Sequence, residues 1–256
     1  MTEPDSELIA AAQAGERRAI DELLARYEQR IYRFGLRMCG DPESAREVLQ
    51  ETMLAAFRNL PGFRGEAALS TWLYQIARSF CIKQRRGTHP TTTLGPDVAD
   101  ASAGPDVQVH ARQIGQALVD AIRALPAEQR EVLVLRDVEG LSAQEAADVV
   151  GIEVGALKSR LHRARMALRE KLAGTIASAP EPCGELAHEL SAYAASEIDQ
   201  ATCVKIEHHL ATCPRCTGAC DALKRTVSMC RSIPGDAVPA AVRAAVRAAI
   251  RDAIAR

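Results

Sequence analysis

No apolar run in this sequence approaches the ~18–20 residues that a membrane span needs. A membrane partner is therefore not expected. The opening MTEPDSELIAAAQAG is acidic and lacks a basic segment followed by a long apolar stretch, which argues against a secretory signal and makes the cytoplasm the expected compartment. Aromatic residues make up only 4% of the chain, and eight of the nine lie between Tyr27 and Phe80. Strands draw on aromatic and β-branched residues, whereas Ala, Arg, Leu and Glu dominate here, so the expected fold class is all-α. Net charge is also nearly absent, at −1, which excludes any argument from a polyanionic or polycationic whole. Apolar residues are not lacking: 47% of 256 residues is enough for real cores in one large domain or two to three small ones.

Periodicity divides the chain into units. Glu7–Ala14 reads as a short helix stopped by Gly15. A long amphipathic helix follows over Glu16–Cys39, with Ile20, Leu23, Leu24, Tyr27, Ile31 and Phe34 at three- and four-residue steps. Gly40 ends it, and Asp41-Pro42 opens another as N-cap and first-turn proline. A fourth helix is expected over about Ala67–Arg86, closing a first unit at residues 1–86. Residues 87–106, rich in Pro, Thr and Gly, read as a linker. A second unit spans 107–172, with a break at Pro126. Residues 173–182 form a second linker, 183–236 a cysteine-rich unit, and 237–256 an amphipathic helix with Val242, Val246, Ile250 and Ile254 on one face.

In the second unit, Ser142-Ala-Gln-Glu145 fits a capping box, a serine and a glutamate satisfying each other's exposed amides. Gly151 makes a turn, and the next helix is basic: Lys158, Arg160, Arg163, Arg165, Arg169 and Lys171 against one acid, Glu170. That is a helix–turn–helix pattern, whose second helix enters the major groove while basic side chains grip phosphates. Leu157, Leu161, Ala164 and Leu168 mark the buried stripe, leaving Lys158, Ser159, His162 and Arg163 on or near the outer face. In the first unit, Trp72, Tyr74 and Phe80 interleave with Arg78, Lys83, Arg85 and Arg86. Aromatics beside a basic groove can stack unpaired bases, although the same spacing suits a helix core.

Six of eight cysteines crowd into the last third. In a cytoplasmic chain this points to metal or redox chemistry rather than a disulfide framework. Cys183, His209, Cys213 and Cys216 supply four ligands at zinc-like spacing. Pro214 at a first helical turn makes Cys213 an N-cap, so that His209 and Cys216 meet it at a corner. Cys203, Cys220 and Cys230 are further candidate ligands. Zn(II) is the expected ion, and surplus thiolates also suit Cu(I) or Cd(II) as a regulatory ion. Alternatively, Cys220 and Cys230 are small buried apolar residues.

The segments SAREVLQETMLAAF, FRGEAALSTWLYQIAR and LPAEQREVLVLRDVEGLSAQEAADVVGIEVGALKSRLHRARMALRE together resemble the extracytoplasmic-function (ECF) group of bacterial sigma factors, over about residues 7–172. The resemblance implies that unit one is sigma region 2, binding RNA polymerase core and the −10 element, and unit two region 4, reading the −35 element. Glu47, Leu49, Gln50, Glu51 and Thr52 match the helix docked on the β′ clamp helices. Ser79 stands where many members have asparagine near the flipped −10 base. Lys158, Ser159, His162 and Arg163 match the −35-reading positions, with Arg160 in the same basic run. The C-terminal unit resembles a zinc-binding anti-sigma domain, here fused to its own sigma factor, as in members that respond to metal ions.

The expected function is therefore promoter-directed transcription initiation controlled by metal binding to the tail, with no catalytic residues and no small-molecule substrate. A redox-sensitive inhibitory tail is the alternative. A CxxC thiol oxidoreductase is remote, because no βαβ pattern surrounds Cys213-Pro-Arg-Cys216.

Overall fold

A computed structural model describes residues 5–87, 105–173, 180–195, 198–233 and 237–254. Among these the chain forms twelve α-helices and no strand, in keeping with the all-α expectation. None of the described helices is long and apolar enough to cross a membrane. The chain divides into two compact units, residues 1–94 with 235–256 and residues 95–234.

The first unit contains α1 (Ser6–Gln13), α2 (Arg17–Cys39), α3 (Pro42–Asn59), α4 (Leu69–Gly87) and, from the far end of the chain, α12 (Ala240–Ile254). Local chemistry sets the boundaries. Gly40 ends α2 in the left-handed region at φ 93°, where a side chain would be strained. One residue on, the Asp41 carboxylate accepts the Ser44 amide at 2.8 Å and caps α3, with Pro42 in its first turn. The two helices can cross closely because Gly35 has no side chain: a Cβ there would stand 3.1 Å from Ala45 Cα. Phe34, Leu49, Met53, Tyr74 and Ala77 fill the core between α2, α3 and α4. Gln13 Nε2 donates to the carbonyls of Leu60 and Phe63 at 3.0 and 2.8 Å, tying α1 to the turn after α3. The amphipathic C-terminal helix read from the sequence packs on α3 and buries Val242, Val246 and Ile250.

The second unit contains α5 (Pro105–Arg123), α6 (Ala127–Leu133), α7 (Ala143–Val150), α8 (Val154–Leu172), α9 (Ala187–Ala194), α10 (Gln200–Thr212) and α11 (Pro214–Ser232). The capping box before α7 is made: the Glu145 amide donates to Ser142 Oγ at 3.2 Å and the Ser142 amide to Glu145 Oε2 at 2.7 Å. Gly151, at φ 76°, makes the turn into α8. Leu157, Leu161, Ala164 and Leu168 form the buried stripe of α8, as their spacing predicts. After Leu133 the chain widens into a π turn over Val134–Val138, which buries Arg136 and Asp137. The described parts of residues 107–172 and of the cysteine-rich segment, which the sequence separates by a linker, lie in one compact unit.

Candidate nucleic-acid interface and metal centre

On α4, Trp72, Ser79 and Lys83 follow steps of seven and four residues and therefore share a face. Trp72 is half-buried, its ring 5.1 Å from that of Phe63. Ser79 and Lys83 are exposed and Arg78 is partly so; Ser79 Oγ donates back to the Ile76 carbonyl at 2.7 Å. Tyr74 needs correction as a base-stacking candidate. It is 1% exposed, stands edge-on to Phe34 at 5.3 Å, and lies beneath the Arg30 guanidinium. Its position two residues from Trp72 turns it to the opposite face of the helix. The side chains of Arg85 and Arg86 lie outside the described residues.

On α3, Glu47 and Glu51 are exposed and Gln50 half-buried, whereas Leu49 and Thr52 are fully buried. Those last two are corrected from surface contacts to residues that hold the helix in place from within. Gln84 of α4 donates to the Glu47 carboxylate.

On α8, Arg163 is exposed, and Lys158 and Ser159 are half-buried. Ser159 Oγ donates to the Gly155 carbonyl at 3.0 Å. Arg160 leans back to Glu128 of α6, Nη2 to Oε2 3.4 Å. His162 is half-covered by the cysteine-rich segment, its ring 5.5 Å from that of His188 on α9. Burial, His188, Arg165 and Arg163 hold its pKa below the ordinary 6.5, and Glu189 opposes them.

Arg165 is not the phosphate-gripping side chain that the basic run suggests. It is 1% exposed and makes a two-pronged ion pair with Asp137, Nε to Oδ2 2.8 Å and Nη2 to Oδ1 2.6 Å. Its remaining Nη1 donates to the Ser191 carbonyl and Oγ on α9, at 2.7 and 3.1 Å. A buried guanidinium is tolerable when its donors are met in this way. The sequence carried a weak signal for this contact: Arg165 follows Leu161 by four and precedes Leu168 by three, on the buried stripe. Asp137 sits in the apolar run VLVLRDV. The partners in α9, Ser191 and His188, had no such signal.

Cys183, His209, Cys213 and Cys216 are brought together, with their ligand atoms all within 4.8 Å of one another. A tetrahedral zinc site with sulfur ligands has edges of about 3.8 Å, so a small contraction would close the set. Three thiols and an imidazole are a complete donor set for such an ion. Two observations show that the residues fit a metal. His209 Nε2 is buried and lacks a hydrogen-bond partner. The Cys213 thiol is lowered to about 7, chiefly because the Cys216 amide at the start of α11 donates to it. Around the cluster, the Cys183 amide donates to Cys216 Sγ at 3.3 Å and Arg215 Nη2 to Cys183 Sγ at 3.5 Å. Cys203, Cys220 and Cys230 are not among the four clustered ligands. Cys220 is core, packed with Leu190, Ile206, Cys216 and Leu223. Cys230 is buried, its thiol pushed up by desolvation. Cys203 donates to Glu207 at 3.5 Å. Met166 of α8 packs against the same core as Cys216 and Cys220, so helix–turn–helix and cysteine cluster share apolar contacts.

Two helical modules, one a capped helix–turn–helix, with a Cys3His cluster packed on the latter, define the class: a helix–turn–helix transcription protein carrying a zinc-finger-type domain. Residues 23–90 match the Sigma-70 region 2 family, 115–168 the Sigma-70 region 4 family and 183–217 a zinc-finger family. The chain is 36% identical over 172 residues to the ECF RNA polymerase sigma factor SigM of Mycobacterium tuberculosis H37Rv, covering 66% of this chain and 84% of that one. It is 32% identical over 182 residues to the RNA polymerase sigma-H factor of Pseudomonas aeruginosa, covering 66% and 94%. A solved structure of CnrH in complex with the cytosolic domain of CnrY matches with a TM-score of 0.51 at 27% identity, over 67% of this chain and 99% of that chain. The chain belongs to the ECF RNA polymerase sigma factors.

Proposed function

We propose that this sigma factor brings RNA polymerase core to its promoters and that metal occupancy of its own C-terminal domain sets how well it does so. In this reading the exposed Glu47, Gln50 and Glu51 of α3 face the β′ clamp helices. The stripe of Trp72, Ser79 and Lys83, flanked by Arg78, takes the unpaired −10 strand, where an indole and a cation can stack and neutralise it. Lys158, Ser159 and Arg163 read the −35 duplex from the N-terminal half of α8. Neither contact need be strong alone, since joining them in one chain raises the effective concentration of the second once the first is made.

The observation that supports metal control is the seam between α8 and α9. His162, one of the −35-reading candidates, lies against His188, and the neighbouring Arg165 is held by Ser191. The ligand cluster and this seam share the core around Leu190, Cys216 and Met166. Bound Zn(II), Cu(I) or Cd(II) would supply a fixed four-way link between Cys183 before α9 and the α10–α11 corner. Whatever alters that link alters the surface against which α8 packs.

A redox reading is favoured by one further observation, the lowered Cys213 thiol beside Cys183 and Cys216. Thiolate character makes such a cluster prone to oxidation to a disulfide once metal is lost.

The test is transcription in vitro with purified full-length protein, core polymerase and the promoter of its own gene, titrated separately with Zn(II), Cd(II), Cu(I) and diamide. Metal control predicts a response to at least one ion that Cys213→Ser and Cys216→Ser abolish. A response to diamide alone supports the redox reading. Equal transcription in every arm overturns both.

A further inference from the structure

Two buried polar atoms at the seam between α8 and α9 have no partner among the described residues. His162 Nδ1 of α8 is shut off from solvent without a hydrogen bond, and so is Glu189 Oε2 of α9. Buried polar atoms are nearly always paired, and an orphan points to a group that completes it, an ordered water or an ion. His188, the residue before Glu189, is exposed and holds its ring 5.5 Å from that of His162, tilted by 48°. Two imidazoles on one tetrahedral ion, with metal–nitrogen bonds of about 2.0–2.1 Å, have ring centres about 5 Å apart. The observed separation is close to what a shared ion requires.

The charges around the seam suit a cation. An imidazole ligates only when neutral, and burial with the positive groups nearby keeps His162 neutral to a lower pH than usual. Glu189 acts on the same ring with the opposite sign, so its carboxylate is placed to supply negative charge. Of the two neighbouring arginines, Arg165 is neutralised by its two-pronged pair with Asp137, and Arg163 is exposed, where water and salt screen it. Two imidazoles and a carboxylate, with water in a fourth position, are a donor set for Zn(II) and borderline neighbours such as Co(II) or Ni(II), whereas the three thiols of the cysteine cluster also suit softer ions. The cysteine cluster is the one set among the described residues whose ligand atoms already lie within 4.8 Å of one another. The seam is more open, and the exposed His188 ring and the Glu189 carboxylate must turn to close on an ion.

We propose that His162, His188 and Glu189 form a second metal site, for a borderline divalent ion, that clasps the basic helix α8 to α9. It fills only after the cysteine cluster is full, because it is open to water and has one protein ligand fewer. An ion there holds the His162 imidazole to α9, on the same helix that carries Lys158, Ser159 and Arg163. The site requires nothing of the cysteine cluster or of promoter reading.

The experiment is Zn(II) binding to the untagged full-length protein by equilibrium dialysis and elemental analysis, with Co(II) as a spectroscopic probe. Wild type should take up two ions per chain in two steps. With Co(II), the first step should bring thiolate-to-metal charge-transfer absorption and the second should add none. His188→Ala, at an exposed position, and Glu189→Gln should each keep the first step unchanged, which also shows that the unit is folded. Changing a residue that merely supports a ligand weakens metal binding roughly 10–100-fold, so loss of a direct ligand should weaken the second step by about a hundredfold or more. A single ion per wild-type chain, bound with thiolate absorption, overturns the site and leaves the cysteine cluster standing; water then meets the orphaned atoms. A second step of equal affinity in wild type, His188→Ala and Glu189→Gln overturns it as well. The two metal readings fail separately: absence of the thiolate step counts against the cysteine cluster, and absence of the other step against this site.

Discussion

The C-terminal segment meets the sigma modules in two ways. In the second unit the junction is an interior: Arg165 is fully withdrawn from water and bound on two sides, by Asp137 and by Ser191, and Met166 is part of the core around Cys216 and Cys220. In the first unit it is an added layer. Helix α12 contributes one apolar stripe over α3, and its ion pair runs from Arg243, 42% exposed, to Glu28. An ion pair with one partner open to solvent, as Arg243 is beside the mostly buried Glu28, is partly screened by water and salt, whereas one partner left alone in an interior is heavily destabilising. The junction in the second unit is thus the more deeply buried of the two, and that in the first unit rests on one apolar stripe and one ion pair. The Cys183, His209, Cys213 and Cys216 cluster lies in the same unit as that interior contact.

The largest expected effect breaks the more deeply buried junction. Arg165→Met should destabilise the second unit by about 3–5 kcal/mol, because Asp137 is left buried and unpaired. Urea denaturation followed by circular dichroism measures it. The double variant Asp137→Leu/Arg165→Met should recover much of the loss if the penalty is the stranded charge and not the missing bond.

Metal comes next. Zinc bound only by the folded form stabilises it by about 2.7 kcal/mol at a free concentration one hundred times Kd. Chelation should lower the melting temperature of the second unit, and Cys213→Ser should make the protein insensitive to chelator. The first unit should melt unchanged in both cases.

Val246→Asp sharpens the other side of the comparison. A carboxylate in the α12 stripe should undock that helix, at a cost of about 1–3 kcal/mol for the lost apolar burial. Hydrogen exchange should speed up across residues 240–254 while α8 stays protected. Slowed or unchanged exchange there would show that α12 is as fixed as α9.

The smallest effect is a pH dependence. Because the folded pKa of His162 lies below 6.5, the unfolded chain takes up the proton first. Stability of the second unit is therefore fully present above about pH 6.5 and falls as pH drops through the folded value. His188, Arg165 and Arg163 oppose the imidazolium and Glu189 favours it. Melting temperatures between pH 8 and 5.5 should show the decline in wild type and a shallower one in His162→Gln, with zinc present throughout.

Much of this arrangement was legible in residue order, for local reasons. Helix ends follow from Gly40, Asp41-Pro42, the Ser142–Glu145 box and Gly151, each acting within a few residues of itself. The ligand set Cys183, His209, Cys213 and Cys216 was legible because His-x3-Cys-x2-Cys spans a single helix corner, leaving only Cys183 to be brought from afar. The misreadings concern direction. Tyr74, Leu49 and Thr52 lie on helices whose ends were correctly placed, yet their side chains point inward. A helix with more than one packed face has no solvent side that periodicity alone can identify, and α3 packs against α2, α4 and α12.

The sequence by itself determined the all-α class, the helix boundaries, the helix–turn–helix and the chemistry of the metal cluster, because each rests on interactions between near neighbours in the chain. Only the tertiary structure decided that Arg165 is an interior ion pair rather than a DNA contact. It alone joined the cysteine-rich segment to α8 and returned the last helix to α3. Those outcomes depend on partners 28 residues apart, as for Arg165 and Asp137, or on opposite ends of the chain, as for Glu28 and Arg243. A buried charge is settled by whichever distant group can satisfy it, and no local pattern specifies that group.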